Sequence, residues 1–150
     1  RSRTHDQMLQ AARSGKQNIA EGSMASGTSK KTELKLVGVA RASLEELLLD
    51  YQEFLRQKGL KVWGKDDPQA KDVRSLACKE NSSYLTYRSY FENQDPEIAA
   101  NAAICVIHQT NYLLDQLLRA LEKQFLEEGG FTERLYRVRS QARGAPGKKP

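Results

Sequence analysis

The chain contains little that would identify its chemistry: only two cysteines, two histidines and four prolines occur in 150 residues. Cys78 and Cys105 lack the CxxC spacing of metal or redox sites, and two thiols do not make a secreted disulfide framework. No apolar run approaches the roughly 20 residues that cross a bilayer, and no signal-peptide pattern opens the sequence. These absences predict a soluble, cytoplasmic protein without a membrane span, in which both cysteines are small buried residues.

Candidate catalytic residues are equally scarce. His5 and His108 are the only histidines, and His108 has no carboxylate three or four residues away that would complete a metal pair on a helix. The Glu-x-x-His pattern of di-iron bundles is absent, as are a glycine-rich phosphate loop and a nucleophile elbow. We therefore expect a protein with no catalytic residues, no bound metal and no cofactor.

The strongest pattern in the chain is a long apolar stripe in the second quarter. Its members recur at alternating steps of three and four residues; they are Val37, Ala40, Leu44, Leu47, Tyr51 and Phe54. This spacing places them on one face of a long α-helix, which packs on other helices nearly parallel to it.

The remaining patterns complete an all-α fold. The predicted helices cover residues 2–21, 29–58, 68–92 and 96–128. Ser29, Asp67 and Asp95 are suitable N-caps, the last two being followed by proline. The third helix is the weakest, because the polar run at 79–83 interrupts its apolar face. We expect residues 1–130 to form one antiparallel up-down-up-down four-helix bundle.

Both ends of the chain carry further expectations. The first predicted helix is shorter than the second, and since bundles favour helices of matched length, we expect part of it to lie upstream of Arg1. After Gly130, residues 131–143 are expected to form a short helix that uses Leu135 and Val138. The last residues, within 131–150, are predicted to be a disordered basic tail.

The net charge of +5 is unevenly distributed. Residues 134–150 hold six cations and no acid, whereas the other 133 residues hold 18 basic and 19 acidic side chains. A second basic group flanks the connector between the first two helices, where cations at a helix N-terminus are unfavourable for the dipole unless an anion binds. Because an antiparallel hairpin brings both sides of a connector together, we expect these side chains to meet at one end of the bundle.

These two groups are the predicted nucleic-acid-binding residues, since clustered cations contact phosphates independently of sequence. They are Arg13, Lys16, Lys30, Lys31, Lys35, Arg134, Arg137, Arg139 and Arg143. The alternative is a basic surface that only promotes solubility.

One acidic group allows a different hypothesis. Glu45, Glu46, Asp50 and Glu53 lie close together on the second helix, and Asp115 and Glu122 lie on the fourth. Acidic residues on facing helices bind Mg²⁺ in all-α nucleotide pyrophosphatases. The same spacing is also typical of a solvated helix face on which carboxylates pair with nearby lysines and arginines.

Helices two and four carry apolar stripes wider than one helix contact requires. Either neighbouring subunits bury the extra width or the monomer has a broad core. The pattern alone does not separate these two possibilities.

Two segments resemble a known family. They are NIAEG at 18–22, followed by Ser29 and Glu33, and VARASLEEL at 39–47. Together they resemble the bacterial four helix bundle family, which includes proteins encoded in intervening sequences of 23S rRNA genes and the accessory variability proteins of diversity-generating retroelements. The longer chain is most similar to the four-helix-bundle suffix subgroup, over about residues 6–128.

The resemblance implies an up-down-up-down bundle that assembles as a homopentamer, with a positive surface that contacts nucleic acid and a reverse transcriptase. Asn18, Glu21, Ser43 and Glu46 occupy the signature positions, where they are expected to make polar contacts between the first two helices. Where relatives often have glycine before the serine, this chain has Ala42.

The predicted function is that of a non-enzymatic, oligomeric helical-bundle protein that binds RNA or DNA. It would serve as an accessory factor of a ribonucleoprotein or reverse-transcriptase system. The alternatives are a protein-only oligomeric scaffold and a Mg²⁺-dependent nucleotide hydrolase that uses Glu45, Glu46 and Asp50.

Overall fold

A computed structural model describes residues 3–144, which are helical throughout apart from short connections and contain no strand. The helices are α1 (Arg3–Ala25), α2 (Lys30–Gln57), α3 (Pro68–Leu76), α4 (Tyr84–Phe91), α5 (Pro96–Glu128) and α6 (Phe131–Gly144). The predicted all-α class is confirmed. Within the described part of the chain, no helix combines the length and apolar content needed to cross a membrane.

Helix α2 lies antiparallel to α1, and small residues let the two backbones approach closely. Gly15 is buried against Leu44, and a Cβ added there would lie 3.2 Å from the Leu44 Cδ2 atom. Gly22 packs in the same way beside Val37. The absence of a side chain at both positions is therefore what allows α1 to lie directly on α2.

Helix α5 packs on a different flank of α2 and is antiparallel to it. Leu55 near the end of α2 clusters with Ala100 and Ile104 near the start of α5. Val37 near the start of α2 clusters with Leu114 and Leu121, further along α5. Since α1 and α5 both run against α2, they run in the same direction as each other.

Side-chain caps fix where the helices begin. Ser29 Oγ accepts a hydrogen bond from the Thr32 amide at 3.3 Å, and Asp95 Oδ1 accepts from the Glu97 amide at 2.9 Å. Helix α2 accordingly begins and ends within a residue of its predicted bounds, and α5 has its predicted bounds. Helix α1 continues to Ala25, beyond the predicted end at residue 21, because Gly22 packs inside the helix contact instead of terminating it.

The predicted single helix over 68–92 is wrong. Residues 77–83 separate α3 from α4, and Asn81 adopts a left-handed φ of 58°. The run Lys79–Ser83 has no apolar side chain that would stabilise a continuous helix by packing against α5. Its asparagine, Asn81, tolerates the left-handed conformation. Five helices, α1 to α5, therefore pack together, and the predicted four-helix count is not confirmed.

The short helices reverse the chain on the surface of α5. Helix α3 runs along α5, since the Lys61 amide donates to Glu97 Oε2 at 3.0 Å and Gln109 Nε2 donates to the Arg74 carbonyl at 3.0 Å. Helix α4 then returns toward the start of α5, and its Tyr87 packs against the cluster around Ala102.

Asn101, which is 1% exposed, attaches the loop before α3 to α5. Its Oδ1 accepts a hydrogen bond from the Trp63 amide at 2.8 Å. Its Nδ2 donates to the Lys61 carbonyl at 2.8 Å and to the Glu97 carbonyl at 2.9 Å. Two of the three hydrogen bonds of this buried amide thus hold the loop, and the third lies within α5.

Helix α6 begins at Phe131, as predicted, after Gly129 with a φ of 74°. Glu133 Oε2 accepts a hydrogen bond from the Gly130 amide at 2.6 Å, which satisfies a donor at the start of the helix. The predicted disordered tail lies, from residue 145 onward, outside the described residues.

We predict that Asn101→Ala destabilises the protein by about 1–3 kcal/mol, because it leaves the buried Trp63 amide without an acceptor. Chemical denaturation followed by circular dichroism measures the change. Gln116→Ala, an exposed change on the same helix, should alter the free energy of unfolding by less than about 0.5 kcal/mol. Equal effects of the two substitutions would contradict this role of Asn101.

Candidate nucleic-acid interface

Helix α6 carries four cations of the predicted set, and three of them are exposed. Arg137, Arg139 and Arg143 are exposed, and none of them pairs with a carboxylate among the side chains that the structure describes. Arg134 is half-buried. Tyr136 on the same helix is 75% exposed. A helix that combines unpaired guanidinium groups with an exposed aromatic ring can contact phosphates and stack on bases.

Lys30 does not belong to an accessible cationic surface. Its Nζ lies 3.2 Å from Glu33 Oε2, and the two side chains are 15% and 10% exposed. Burial of Glu33 requires a cation beside it, and Lys30 supplies that charge. The prediction of Lys30 as a phosphate ligand is therefore corrected: its ammonium group is held by a carboxylate within α2.

The other four cations near the connector, which are Arg13, Lys16, Lys31 and Lys35, are exposed. Arg13 lies two residues, or about 200°, from Gly15, which faces α2. Lys31 and Lys35 are offset by the same angle from Glu33, whose backbone lies beside Gly22 of α1. These three side chains therefore lie on helix faces turned away from the contact between α1 and α2, and the meeting of the cations at one end of the bundle stays a prediction.

The signature residues occupy different environments. Ser43 Oγ lies 2.9 Å from Ser14 Oγ and is the member that contacts the neighbouring helix. Asn18 Nδ2 donates to the Ser14 carbonyl at 2.9 Å, so it supports this contact from within α1. Glu21 accepts from Gln17 on its own helix at 2.9 Å, and Glu46 is exposed.

The Arg41 guanidinium lies between a carboxylate of α2, Glu45, and a carboxylate of α5, Asp115. Arg41 Nε donates to Asp115 Oδ1 at 2.9 Å, and Arg41 Nη1 donates to Glu45 Oε2 at 2.6 Å. The Glu45 hydrogen bond, opposed by burial and assisted by Asp115, raises the pKa of the Arg41 guanidinium. Sequence reasoning missed this bridge. The one signal is that Arg41 stands between Leu34 and Leu48 in a row of residues seven apart that is otherwise apolar.

The structure provides no obvious alternative for metal binding. Among the described residues, no group of three or more His, Cys, Asp or Glu side chains is placed to hold a metal ion. Cys105 is buried, as expected, and burial raises the pKa of its thiol. Cys78 is exposed, contrary to expectation, because it follows the end of α3 where the helix breaks.

An apolar groove, which sequence reasoning also missed, lies between α1, α2 and α5. It has a volume of about 660 Å³, and Tyr84 and Phe91 of α4 belong to its lining. Lining residues include Met8, Leu47, Tyr51, Phe91, Ala103 and Ile107. We call this feature the central groove. The signal that could have revealed it is the wide apolar stripe of the predicted second and fourth helices, which are α2 and α5 in the structure.

Comparison of the chain with protein-family models, with curated proteins and with solved structures returns no match.

We predict that Arg41→Ala destabilises the protein by about 1–2 kcal/mol, because Glu45 and Asp115 lose their shared donor while both remain partly buried. Thermal and chemical unfolding measure the loss. In the unaltered protein, millimolar Mg²⁺ should leave the melting temperature unchanged, since Arg41 already donates hydrogen bonds to both carboxylates. Stabilisation by Mg²⁺ but not by an equal ionic strength of Na⁺ would contradict this interpretation.

Proposed function

We propose that the protein is a non-enzymatic helical scaffold that binds RNA or DNA through phosphate contacts, with α6 as the main binding element. The observation that carries the proposal is that Arg137, Arg139 and Arg143 are exposed and have no carboxylate partner among the described side chains. A cation already paired within the protein gains little by meeting a phosphate, whereas an unpaired one releases the counterions of the nucleic acid. Exposed Lys31, Lys35, Arg13 and Lys16 would extend the contact.

The distribution of charge along the sequence supports the same proposal. All six cations of residues 134–150 follow the bundle without an intervening acid, while the rest of the chain has a small negative balance. Such a separation lets a near-neutral scaffold avoid non-specific adhesion elsewhere on its surface. Tyr136, exposed among the arginines, favours a strand with accessible bases over a uniform duplex.

We further propose that the protein works in the cytoplasm as a homo-oligomer, with the homopentamer implied by the family resemblance as the first assembly to test. Exposed Tyr112, Leu113 and Leu117 on α5 support association. Free cysteines are consistent with a reducing compartment. An accessory role beside a ribosomal RNA or a reverse transcriptase rests on the NIAEG and VARASLEEL segments.

A protein-only scaffold is the second candidate, and the exposed apolar side chains of α5 favour it. It differs from the first in predicting no affinity for nucleic acid at low salt. The hydrolase hypothesis has less support, because Arg41 is bonded to the very carboxylates that would face each other across the helices.

We predict that single-stranded RNA binds with an affinity that falls as salt rises, and that reversing Arg137, Arg139 and Arg143 to Glu weakens binding. The slope of log K against log salt is negative, and each phosphate contact with a single strand contributes about 0.7 to its magnitude. The triple reversal should therefore make the slope shallower by about two units. Fluorescence anisotropy with a short labelled oligonucleotide measures both quantities.

The matched control reverses Lys58, Lys65 and Lys79, which are exposed elsewhere on the surface and change the net charge equally. This control should retain the slope of the unaltered protein. If both triple variants weaken binding equally, only net charge matters and α6 is not the interface. If the unaltered protein does not bind at low salt, the nucleic-acid proposal fails and the scaffold candidate takes its place.

A further inference from the structure

The exposed ring of α6 shares one helix face with two arginines. Tyr136, Arg139 and Arg143 follow one another at steps of three and four residues, so they lie within about 60° of one another around the helix axis. Side chains at these steps are neighbours, with about 5–6 Å between their Cβ atoms. Tyr136 is 75% exposed, and both arginines are exposed. We call these three residues the arginine–tyrosine stripe.

The fold does not account for the charges of this stripe. Arg139 and Arg143 have no carboxylate partner among the side chains described, and like charges four residues apart on a helix repel each other. The one acidic residue in the sequence of α6 is Glu133, whose Oε2 accepts a hydrogen bond from the Gly130 amide at 2.6 Å. An anion bound between the two guanidinium groups would remove their repulsion.

The apolar side chains of α6 lie on a different face. Leu135, Val138 and Ala142 each precede a member of the arginine–tyrosine stripe by one residue, so the centres of the two stripes are about 100° apart. Leu135 is half-buried, whereas Val138 is 61% exposed. Packing of α6 through its apolar side chains therefore leaves the arginine–tyrosine stripe open to a ligand.

The Tyr136 ring narrows the class of ligand. Guanidinium groups bind any phosphate, whereas an exposed phenol ring offers a flat apolar face to a planar partner. Among the described residues, Tyr136 stacks on no other aromatic ring, since the ring pairs found there lie within α4. A nucleobase is a planar group that is linked to a phosphate, and it stacks on aromatic side chains whatever the sequence. Because the bases of a duplex are already stacked and paired, a strand with unpaired bases is the ligand that fits.

We propose that Tyr136 stacks on the base of one nucleotide of a single strand, while Arg139 and Arg143 hold phosphates of the same strand. This assignment rests on the proposed function and deepens it, because it makes Tyr136 the residue that distinguishes unpaired bases from other polyanions. Arg137 lies about 100° from Tyr136, on the side away from Arg139. Arg137 therefore contacts a phosphate without sharing the stacked nucleotide.

Fluorescence anisotropy with two short labelled strands, an oligouridylate and the same backbone without bases, tests the assignment. We expect Tyr136→Ala to weaken binding of the oligouridylate about tenfold, because one stacked base is lost. Its binding to the base-free strand and its salt slope should not change, because every phosphate contact remains. Tyr136→Phe should bind like the unaltered protein. Tyr112→Ala, which removes an exposed ring from α5, should have no effect.

A matched variant exchanges two residues of α6 and keeps the composition and the net charge. Tyr136→Val combined with Val138→Tyr moves the ring by two residues, which rotates it by about 200° around the helix and away from the arginine–tyrosine stripe. We expect the same loss of about tenfold for the oligouridylate as with Tyr136→Ala, and again no change for the base-free strand. Circular dichroism checks that the helix content is retained.

Three results would overturn this assignment and leave the phosphate contacts of α6 in place. They are an unchanged affinity of Tyr136→Ala for the oligouridylate, an equal loss for the strands with and without bases, and full affinity of the exchanged variant. Absence of binding to either strand at low salt would instead contradict the proposed function, and this inference with it.

Discussion

The structure depends on the close approach of α1 to α2, which only the small residues at the contact permit. Gly15 lies against Leu44 and Gly22 lies against Val37, so α1 sits directly on one flank of α2. Helix α2 is then free to receive α5 on a second flank, with Leu55 fully buried at that contact. Both outer helices run against α2, and this arrangement leaves the central groove between them.

The helices with strong end signals could be predicted from the sequence, and the one without a continuous apolar face could not. Serine or aspartate caps and the pairs Asp67–Pro68 and Asp95–Pro96 act within one turn, so they locate helix starts locally. Whether the helix breaks at 77–83 depends on whether the apolar contacts of a continuous helix would outweigh the cost of burying its polar segment. That balance is set by the surface against which the helix packs. The hydrogen bonds of Asn101 with Lys61 and Trp63 join residues distant in sequence, and no local pattern predicts them.

The candidate site was less predictable than the fold, because a sequence gives the angle of a side chain about its helix but not what lies there. Lys30 and Lys31 are neighbours in the sequence, yet one pairs with a buried carboxylate and the other is exposed. Arg41 looked like an interruption of an apolar row, whereas it joins Glu45 to Asp115 across two helices.

The close contact of α1 with α2 can be tested most directly by the free energies of unfolding of two matched glycine variants. Gly15→Leu should destabilise the protein by about 2 kcal/mol or more, because the new side chain collides with Leu44. Gly38→Leu, in α2 with no neighbouring atom within 4 Å of an added Cβ, should be neutral or stabilising, because leucine is a better helix former. Equal free energies for the two variants would contradict the account.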